Sequence, residues 1–251
     1  MTNDHTAQHY GPRAADYVTS DVHANGADLT YIAGPLTGHD DWSVLDLGAG
    51  GGHVSYTAAP HVARVTSVDV TPAMLEAIRA QAQKRGLHNI ETIQASAEAL
   101  PFEAASFDAV LCRFSAHHWG DWVAGLREAR RVLKPNGMAI FIDTTAPTPP
   151  RLDSHLQAIE LLRDPTHARN HTVSEWEAAL TRAGFTLGTT RFWQLHMAFA
   201  TWTARTKTPP VMVAGLRALQ ASAPDEVKAH FAIRPDGSFE LDVALFALKT
   251  T

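Results

Sequence analysis

Apolar runs alternate with helical patterns along the first 145 residues of the chain. Runs rich in β-branched and other apolar side chains predict strands at residues 43–47, 62–70, 90–93, 107–112 and 138–142. Helical patterns lie between them at residues 53–59, 72–86 and 122–133, and Thr71-Pro72 is a start signal for the second of these helices. This alternation predicts an α/β fold with a mainly parallel sheet, helices on both faces, and ligand sites beyond the carboxyl ends of the strands.

The two ends of the chain follow less regular patterns. Residues 13–36 are predicted to be helical, with apolar positions at Tyr17, Val18, Leu29 and Ile32. Towards the other end, the sequence predicts a helical patch at 152–162, a helix at 174–183, a strand at 185–196, a helical stretch at 211–231, and a strand at 239–248 after the hairpin-type turn Asp236-Gly237. We expect residues 144–170, which are proline-rich at their start, to form a mobile cover with few core contacts.

Composition indicates an ordinary globular chain and narrows its partners. Of the 251 residues, 45% are hydrophobic and 19% are charged, and the formal net charge is −5. This acidic balance disfavours nucleic acid and anionic membranes as partners, because binding them depends on clustered Lys and Arg. Cys112 is the one cysteine of the sequence, which excludes an intrachain disulfide, and no apolar stretch is long enough to cross a bilayer. We therefore expect a cytoplasmic protein with no membrane insertion.

The most informative segment is the glycine-rich loop after the first predicted strand, residues 46–52 (DLGAGGG). A dinucleotide fingerprint, Gly-x-Gly-x-x-Gly, fails in both possible frames, because His53 and Ser55 stand where its third glycine is required. The carboxylate of Asp46 would repel a pyrophosphate, but it attracts the ammonium of an amino-acid tail whose carboxylate faces the helix N-terminus near His53. Asp69, at the end of the second strand, is placed to accept both hydroxyls of a ribose. The loop therefore favours a nucleoside with a zwitterionic tail over a dinucleotide.

Further motifs accompany this loop. The set consists of residues 44–53 (VLDLGAGGGH), 69–75 (DVTPAML), 97–102 (AEALPF), 106–108 (SFD) and 131–137 (RVLKPNG). Together they resemble the class I S-adenosylmethionine-dependent methyltransferases, in particular the subgroup typified by the ubiquinone/menaquinone C-methyltransferases. The resemblance covers residues 40–145, and residues 10–13 (YGPR) are similar to a segment that closes over the cofactor in relatives.

The resemblance implies a Rossmann-like, seven-stranded, mainly parallel sheet with helical cover insertions. We expect one methyltransferase domain over residues 1–251, with a helical cover at 1–36, the cofactor-binding core at 40–145, and completion of the sheet with substrate-covering insertions at 146–251. The implied cofactor is S-adenosylmethionine and the implied product is S-adenosylhomocysteine, with no metal.

The resemblance also implies which residues bind this cofactor. They are Tyr10, Arg13, Asp46, Gly48, Ala49, Gly50, Gly52, His53, Asp69, Val70, Met74, Ser96, Ala97, Glu98, Arg113 and Ser115. The sequence departs from the family pattern at Ser96, where relatives usually have an acid that binds the adenine amino group. Ser96 still accepts one hydrogen bond, but without charge.

Two adjacent histidines follow the fourth predicted strand, where this fold places the transferred methyl. His117 and His118 are candidate catalytic bases, because an imidazole titrates near neutral pH. Adjacent side chains point in different directions, so we expect one ring to face the acceptor and the other to anchor the loop. The loop lacks the Asp/Asn-Pro-Pro-Tyr motif typical of enzymes that methylate DNA bases. We therefore expect a small-molecule acceptor, while the methylated atom, O, N or C, stays undetermined.

Several alternatives stay open at this stage. The aromatic residues Trp193, Phe199 and Trp202 either line an acceptor pocket for a flat or apolar molecule or belong to the core. His167 and His171, four residues apart, are a weak metal-site hypothesis, because a third ligand is missing. For the whole chain, the alternatives are an NAD(P)-dependent oxidoreductase on the same fold and a protein that binds S-adenosylmethionine without turnover, since a binding motif and its chemistry are separable. The oligomeric state is left open.

Overall fold

The computed structural model describes residues 2–13 and 26–250, and its central feature is one sheet. Within these residues the sheet has seven strands in the order β3-β2-β1-β4-β5-β7-β6. The strands are β1 (His39–Leu47), β2 (Val62–Asp69), β3 (Ile90–Gln94), β4 (Phe107–Arg113), β5 (Leu133–Thr144), β6 (Thr186–Met197) and β7 (Phe239–Lys249). The first five strands pair in parallel, whereas β7 is antiparallel to both β5 and β6. This topology confirms the predicted α/β fold with a seven-stranded, mainly parallel sheet.

Helices cover both faces of the sheet. In the described residues they are α1 (Thr2–Tyr10), α2 (Asp28–Leu36), α3 (His53–Ala58), α4 (Pro72–Lys84), α5 (Trp122–Val132), α6 (Pro150–Arg163), α7 (Val173–Ala183), α8 (Phe199–Arg205), α9 (Pro210–Ala221) and α10 (Asp225–His230). Helices α5 and α7 share one hydrophobic core with the sheet, and α2 and α3 share a second. Successive side chains of β1 alternate between these cores, with Leu45 in the first and Val44 in the second. Burial on both faces explains why the central strands are almost continuously apolar.

A third hydrophobic core lies in the C-terminal half of the chain. It joins α6, α8, α9 and α10 to the adjoining ends of β6 and β7. Leu156 and Ile159 of α6 are fully buried in it. The expectation that residues 144–170 have few core contacts is therefore wrong, because the apolar side of α6 packs against the later helices.

Some element boundaries differ from the predicted ones. Strand β5 begins at Leu133, directly after α5, so the predicted loop at 134–137 belongs to the strand, where Asn136 has a φ of +61°. The turn at Asp236-Gly237 leads into β7, but it does not join neighbouring strands directly, because α8, α9 and α10 separate β6 from β7. The helical stretch predicted at 211–231 is two helices, and Pro224 precedes the second.

The helical prediction for residues 13–36 is confirmed in part. Helix α2 buries Leu29 and Ile32, which are two of its predicted apolar positions. The other two, Tyr17 and Val18, lie outside the described residues.

Candidate cofactor and acceptor site

A pocket of about 1010 Å³, including its open mouth, lies beyond the carboxyl ends of β1, β2 and β4. The loop after β1 forms part of its wall, where Gly48 and Gly50 have φ angles of +72° and +50°. A Cβ atom on Gly48 would lie 1.8 Å from the Oγ atom of Ser115, so only glycine lets this loop approach the loop after β4. Gly52, with a φ of +80°, does not line the pocket; a Cβ there would lie 2.8 and 2.9 Å from side-chain atoms of α3 and α4. Gly52 therefore serves the packing of α3 on α4.

Asp69, the last residue of β2, connects the glycine loop to the start of α4. Its Oδ2 atom accepts a hydrogen bond from the backbone N–H of Gly50 at 2.9 Å. Its Oδ1 atom accepts one from the backbone N–H of Thr71 at 2.8 Å. Burial raises the pKa of Asp69 above its ordinary value, and these backbone hydrogen bonds act in the opposite direction. The carboxylate is thus held rigidly at the pocket wall, where it can accept hydrogen bonds from a ligand.

Asp46 is the second carboxylate that lines the pocket, and it is almost fully buried. Its Oδ2 atom accepts hydrogen bonds from the N–H and the hydroxyl of Ser55, at 3.0 and 2.5 Å. The Ser55 hydroxyl also lies 2.6 Å from the Ser67 hydroxyl. Burial raises the pKa of Asp46 to about 7, although the hydrogen bonds from Ser55 favour the charged form. A cationic group in the pocket would stabilise that charged form, as expected for the ammonium of an amino-acid tail.

The third side of the pocket is formed by the segment after β3. Ser96, Ala97 and Glu98 line it, and the Ser96 hydroxyl accepts a hydrogen bond from the N–H of Glu98 at 3.2 Å. The Glu98 carboxylate accepts one from the N–H of Asp121 at 2.9 Å and thus holds the start of α5. This side of the pocket therefore offers a neutral hydroxyl where the family pattern has an acid.

Arg113, the last residue of β4, forms a buried ion pair with Asp28 of α2. Its Nε atom donates to one carboxylate oxygen, and a terminal nitrogen donates to the other at 3.1 Å. The guanidinium also lies over the ring of Phe114, 4.8 Å from its centroid. Phe114 has a φ of +51°, a left-handed conformation that is strained for an aromatic residue. Because Asp28 neutralises Arg113, this cation serves to fix α2 beside the pocket.

His117 points away from the pocket. Its ring Nδ1 lies 2.6 Å from Oδ1 of Asp143 on β5, and its backbone N–H donates to Oδ2 at 3.2 Å. Burial opposes the charged form of the ring, but the Asp143 carboxylate outweighs it and raises the pKa of His117 above the ordinary value. The His117 carbonyl accepts hydrogen bonds from the N–H groups of Ala168 and Arg169. His117 thus anchors the loop after β4 to β5 and to the segment after α6.

His118 lines the pocket together with Tyr10 of α1. Its Nδ1 atom lies 3.2 Å from the backbone oxygen of Thr166, and its Nε2 atom lies 3.3 Å from the Tyr10 hydroxyl. Burial and the neighbouring charge of His117 lower the pKa of His118 to about 3. The two adjacent side chains therefore point in different directions and have pKa values shifted in opposite directions, with His118 neutral at the pocket.

Asp164, which sequence analysis did not assign to the site, lies behind Tyr10 and His118. Its carboxylate is almost fully buried and accepts hydrogen bonds from the Tyr10 hydroxyl and from the N–H and hydroxyl of Thr166. Burial alone would raise the pKa of Asp164, but these hydrogen bonds hold it well below its usual range. Asp164 comes from the end of α6, so nothing in its local sequence relates it to the distant Tyr10.

Most residues predicted from the sequence meet in this one pocket. Those that line it are Tyr10, Asp46, Gly48, Ala49, Gly50, His53, Asp69, Val70, Met74, Ser96, Ala97, Glu98, Arg113, Ser115 and His118. Gly52 and His117 do not line it, and for Arg13 the structure describes only the backbone, at the end of the turn Gly11–Arg13. The lining also includes Thr6, Gly51, Val54, Val68, Thr71, Ala95, Phe114 and Trp119, which were missed. Gly51 and Thr71 lie within quoted motifs and were identifiable, whereas Thr6 reaches the pocket only through tertiary folding.

The aromatic residues proposed for an acceptor pocket do not line it. Phe199 and Trp202 are almost fully buried in the third core, and Trp193 packs against the core shared by α2 and α3. The histidines of the weak metal hypothesis are separately engaged: His167 Nε2 lies 3.0 Å from the side-chain oxygen of Gln157, and His171 stacks on Trp122. Across residues 2–13 and 26–250, no three His, Cys, Asp or Glu side chains cluster in a way that could hold a metal ion.

Fold, pocket and family comparison together define the class of protein. Residues 45–141 match the methyltransferase domain family. Over 194 residues the chain is 39% identical to the uncharacterized protein YafE of Escherichia coli K12, and the match covers 77% of this chain and 94% of YafE. The chain belongs to the class I S-adenosylmethionine-dependent methyltransferases. This membership favours methyl transfer over the two alternatives left open above, an oxidoreductase and a protein without turnover.

Two further relatives refine this placement. The uncharacterized methyltransferase YcgJ of Bacillus subtilis strain 168 is 35% identical over 209 residues, which are 83% of this chain and 81% of YcgJ. The crystal structure of YcgJ superposes with a TM-score of 0.85 over 88% of this chain and 97% of that chain, at 32% identity. A ubiquinone/menaquinone biosynthesis C-methyltransferase of Brucella anthropi is 39% identical over 116 residues, which are 45% of this chain and 44% of that enzyme.

No helix in the described part of the chain is long and apolar enough to span a membrane.

Proposed function

We propose that the chain transfers a methyl group from S-adenosylmethionine to a small-molecule acceptor that binds beside Tyr10 and His118, with S-adenosylhomocysteine as the second product. One observation carries the proposal: the glycine loop, the carboxylates of Asp46 and Asp69 and a neutral histidine line the same pocket beyond the carboxyl ends of β1, β2 and β4. In open α/β sheets this edge is where ligands bind.

The residues present fit this cofactor. The cradle at Gly48 has no room for a Cβ atom, so the backbone can approach a ligand closely. We assign Asp46 to the ammonium of the methionine moiety, whose carboxylate faces His53 at the start of α3. Asp69 accepts hydrogen bonds from the ribose hydroxyls, and Ser96 faces the adenine. The raised pKa values of Asp46 and Asp69 support this assignment, because a cationic and hydroxyl-bearing ligand replaces the solvation that both carboxylates lose.

The protein's contribution to the reaction is alignment and exclusion of water. S-adenosylmethionine supplies an activated methyl on a sulfonium, so no covalent nucleophile of the enzyme is needed. Tyr10 and Thr6 of α1 bring the N-terminal helix to the pocket, and His118 presents a neutral ring beside them. Good alignment of two reactants is equivalent to effective molarities on the order of 10⁵ M or more.

A small acceptor is supported by the shape and charge of the chain. The pocket is concave and partly covered by α1, and the formal net charge of −5 disfavours nucleic acid. We further propose that the whole chain acts as one methyltransferase domain in the cytoplasm. The single, buried Cys112 is consistent with a reducing compartment.

Calorimetry with two ligands tests the cofactor assignment. We expect the purified protein to bind S-adenosylhomocysteine and not NADH. Methyl transfer from labelled S-adenosylmethionine to fractionated metabolite extracts then identifies the acceptor. Binding of NADH in place of S-adenosylhomocysteine would contradict the proposal, and label incorporated only into macromolecules would contradict the small acceptor.

A further inference from the structure

The hydrogen bonds around His118 determine which of its ring nitrogens carries the proton. Nδ1 lies 3.2 Å from the backbone oxygen of Thr166 and 3.3 Å from its hydroxyl oxygen. A carbonyl oxygen only accepts hydrogen bonds, so Nδ1 must be the protonated nitrogen. The Thr166 hydroxyl gives its own proton to Asp164 at 2.7 Å and therefore also accepts. In the neutral ring, Nε2 is left as a hydrogen-bond acceptor.

The Tyr10 hydroxyl, which faces Nε2 at 3.3 Å, has already committed its proton. It donates to Oδ2 of Asp164, an ionised carboxylate that has no proton to give in return. The oxygen of Tyr10 and the Nε2 atom of His118 are consequently two acceptors in contact with no proton between them. Both side chains line the pocket, so a donor from a bound molecule can reach Nε2.

The surrounding charges keep the His118 ring neutral. His117 lies beside it, with ring centroids 4.2 Å apart, and the Asp143 carboxylate raises the pKa of His117, so that a charge on this ring opposes a charge on His118. The Asp164 carboxylate acts in the opposite direction and favours the charged form of His118. Burial and His117 outweigh Asp164, since the pKa of His118 is lowered to about 3. Near neutral pH the lone pair of Nε2 is therefore permanently available.

We propose that the methyl acceptor is a molecule whose nucleophilic nitrogen or oxygen carries a proton, and that this N–H or O–H donates to Nε2 of His118. Asp164 is the positioning residue that makes this possible, because it withdraws the Tyr10 proton and fixes Thr166. The proposal rests on the methyltransferase function given above and names its substrate class. Carboxylates and other anionic acceptors are disfavoured, because they would place lone pairs against a lone pair.

The same geometry accounts for the proton during transfer. The acceptor's lone pair forms the new bond to the methyl carbon while the carbon–sulfur bond breaks, and its electron pair stays on sulfur as a neutral thioether. A nitrogen acceptor becomes an ammonium, which stays hydrogen-bonded to Nε2 and loses its proton to solvent on release. An oxygen acceptor becomes an oxonium, which is acidic enough to give its proton even to this weakly basic ring, and the proton passes to Nε2 of His118. The resulting imidazolium donates to the Tyr10 oxygen, which remains hydrogen-bonded to the Asp164 carboxylate, until the proton is lost to solvent.

Nitrogen NMR of the histidine rings tests the proton assignment on the protein without acceptor. In ¹⁵N-labelled protein, with a His118→Gln variant for assignment, we expect a protonated Nδ1 and a bare Nε2 throughout about pH 5 to 8. A ring protonated at both nitrogens, or only at Nε2, in this range overturns the proposal.

Two variants test the role of Asp164. In Asp164→Asn the side-chain amide can donate to the Tyr10 oxygen, which frees the tyrosine proton for Nε2, so the Nε2 resonance should shift towards the hydrogen-bonded position. Asp153→Asn is the matched control, because Asp153 is a carboxylate of α6 that binds Gln157 and Arg169, and it should leave the resonance in place. Should Asp164→Asn fail to fold, Tyr10→Phe serves instead: it should leave Nε2 bare, and a shift towards the hydrogen-bonded or protonated position would overturn the assignment.

Titration with two probes tests the substrate class. Protein saturated with S-adenosylhomocysteine is titrated with phenol and with benzoate, which share a ring and differ in whether the oxygen carries a proton at neutral pH. Phenol should shift the Nε2 resonance at millimolar concentration, and benzoate should not. An equal or larger response to benzoate, or none to phenol, overturns the proposal. Failure of S-adenosylhomocysteine itself to bind would instead contradict the proposed function, so the two failures are distinguishable.

Discussion

The two sides of the pocket are built in different ways. One side, which we term the glycine wall, consists of residues 46–53 and Asp69, and it is held mainly by backbone conformation and backbone N–H groups. The other side, the histidine wall, consists of Tyr10, His118 and the residues behind them, Asp143, Asp164 and Thr166. It is held by side-chain hydrogen bonds between segments up to 154 positions apart in the chain. In the first wall a Cβ atom added at Gly48 or Gly52 would overlap neighbouring side chains, so we expect these positions to tolerate substitution less well than those of the second wall.

This difference matches the chemistry proposed for each wall. A cofactor shared by a whole family needs a fixed cradle, which left-handed glycines and two carboxylates provide. An acceptor that differs between family members needs a wall whose donors and acceptors can be rearranged without disturbing the sheet. Loops and side-chain networks on a rigid scaffold provide such a wall.

The glycine wall should be the more fragile of the two. We expect Gly48→Ala to destabilise the protein by about 3–5 kcal/mol, because a Cβ would overlap Ser115 and the residue has a φ of +72°. Urea unfolding measures this loss.

Gly86→Ala is the matched control for the backbone term alone. Gly86 has a φ of +68°, but a Cβ atom added there would have no neighbour within 4 Å among the described residues, so we expect a loss of only about 1–2 kcal/mol. Equal losses in the two variants would mean that the contact with Ser115 does not matter, and that the glycine wall is less tightly built than the geometry indicates.

Cofactor affinity should depend on the glycine wall through Asp69. Asp69→Ala removes a carboxylate that accepts buried hydrogen bonds, and we expect S-adenosylhomocysteine to bind about 2–4 kcal/mol more weakly in calorimetry. Asp164→Asn, on the histidine wall, should change this affinity less. If Asp69→Ala bound S-adenosylhomocysteine as tightly as wild type, Asp69 would not be the residue that binds the ribose hydroxyls.

The same contrast explains what the sequence could predict. The sheet, most helices and the glycine wall follow from local patterns, because Asp46, the glycines and Asp69 lie within or next to strands whose ends must meet. The motif at 46–52 therefore identified the loop, and it supports the ligand class that we propose for it.

The histidine wall was predictable only in part. That His117 and His118 point in different directions follows from their adjacency, but which ring faces the pocket depends on Asp143 and Thr166, which lie 26 and 48 positions away from their partners. The expectation that residues 144–170 have few core contacts was wrong for the same reason. The apolar positions of this segment are satisfied by α8, α9 and α10, and no local pattern encodes that packing.

The two histidines should contribute to stability in opposite pH ranges. The pKa of His118 is lowered to about 3, so the unfolded chain binds a proton more readily below the ordinary value of 6.5, and stability is lost as pH falls from there. The pKa of His117 is raised, so its contribution is complete below 6.5 and is lost as pH rises through the raised value. Each histidine contributes a slope of at most about 1.4 kcal/mol per pH unit to the free energy of unfolding.

Urea unfolding of two variants across pH separates the stability lost at low pH from the stability lost at high pH. Between pH 6.5 and 4.5, His118→Gln should lose about 1–3 kcal/mol less free energy of unfolding than wild type. Part of the loss should remain, because the pKa of His167 is also lowered to about 3. Asp143→Asn should remove the loss of stability at high pH, because it removes the partner that raises the pKa of His117. If His118→Gln and wild type lose the same free energy of unfolding as pH falls, the ring of His118 is not held neutral in the folded protein.

The smallest expected effect is at Ser96, the residue that we propose to face the adenine. Its hydroxyl accepts a hydrogen bond from the N–H of Glu98 while lining the pocket. In Ser96→Asp one carboxylate oxygen can keep that bond, and the other is offered to the adenine amino group. We expect S-adenosylhomocysteine to bind about 1 kcal/mol more tightly, because a charged acceptor strengthens a hydrogen bond, while the nearby Glu98 carboxylate limits the gain. Ser96→Asn is the matched control of equal shape without charge, and it should leave calorimetric affinity near that of wild type. Tighter binding in Ser96→Asn as well would assign the gain to shape, and weaker binding in Ser96→Asp would show that this side of the pocket is built for a neutral group.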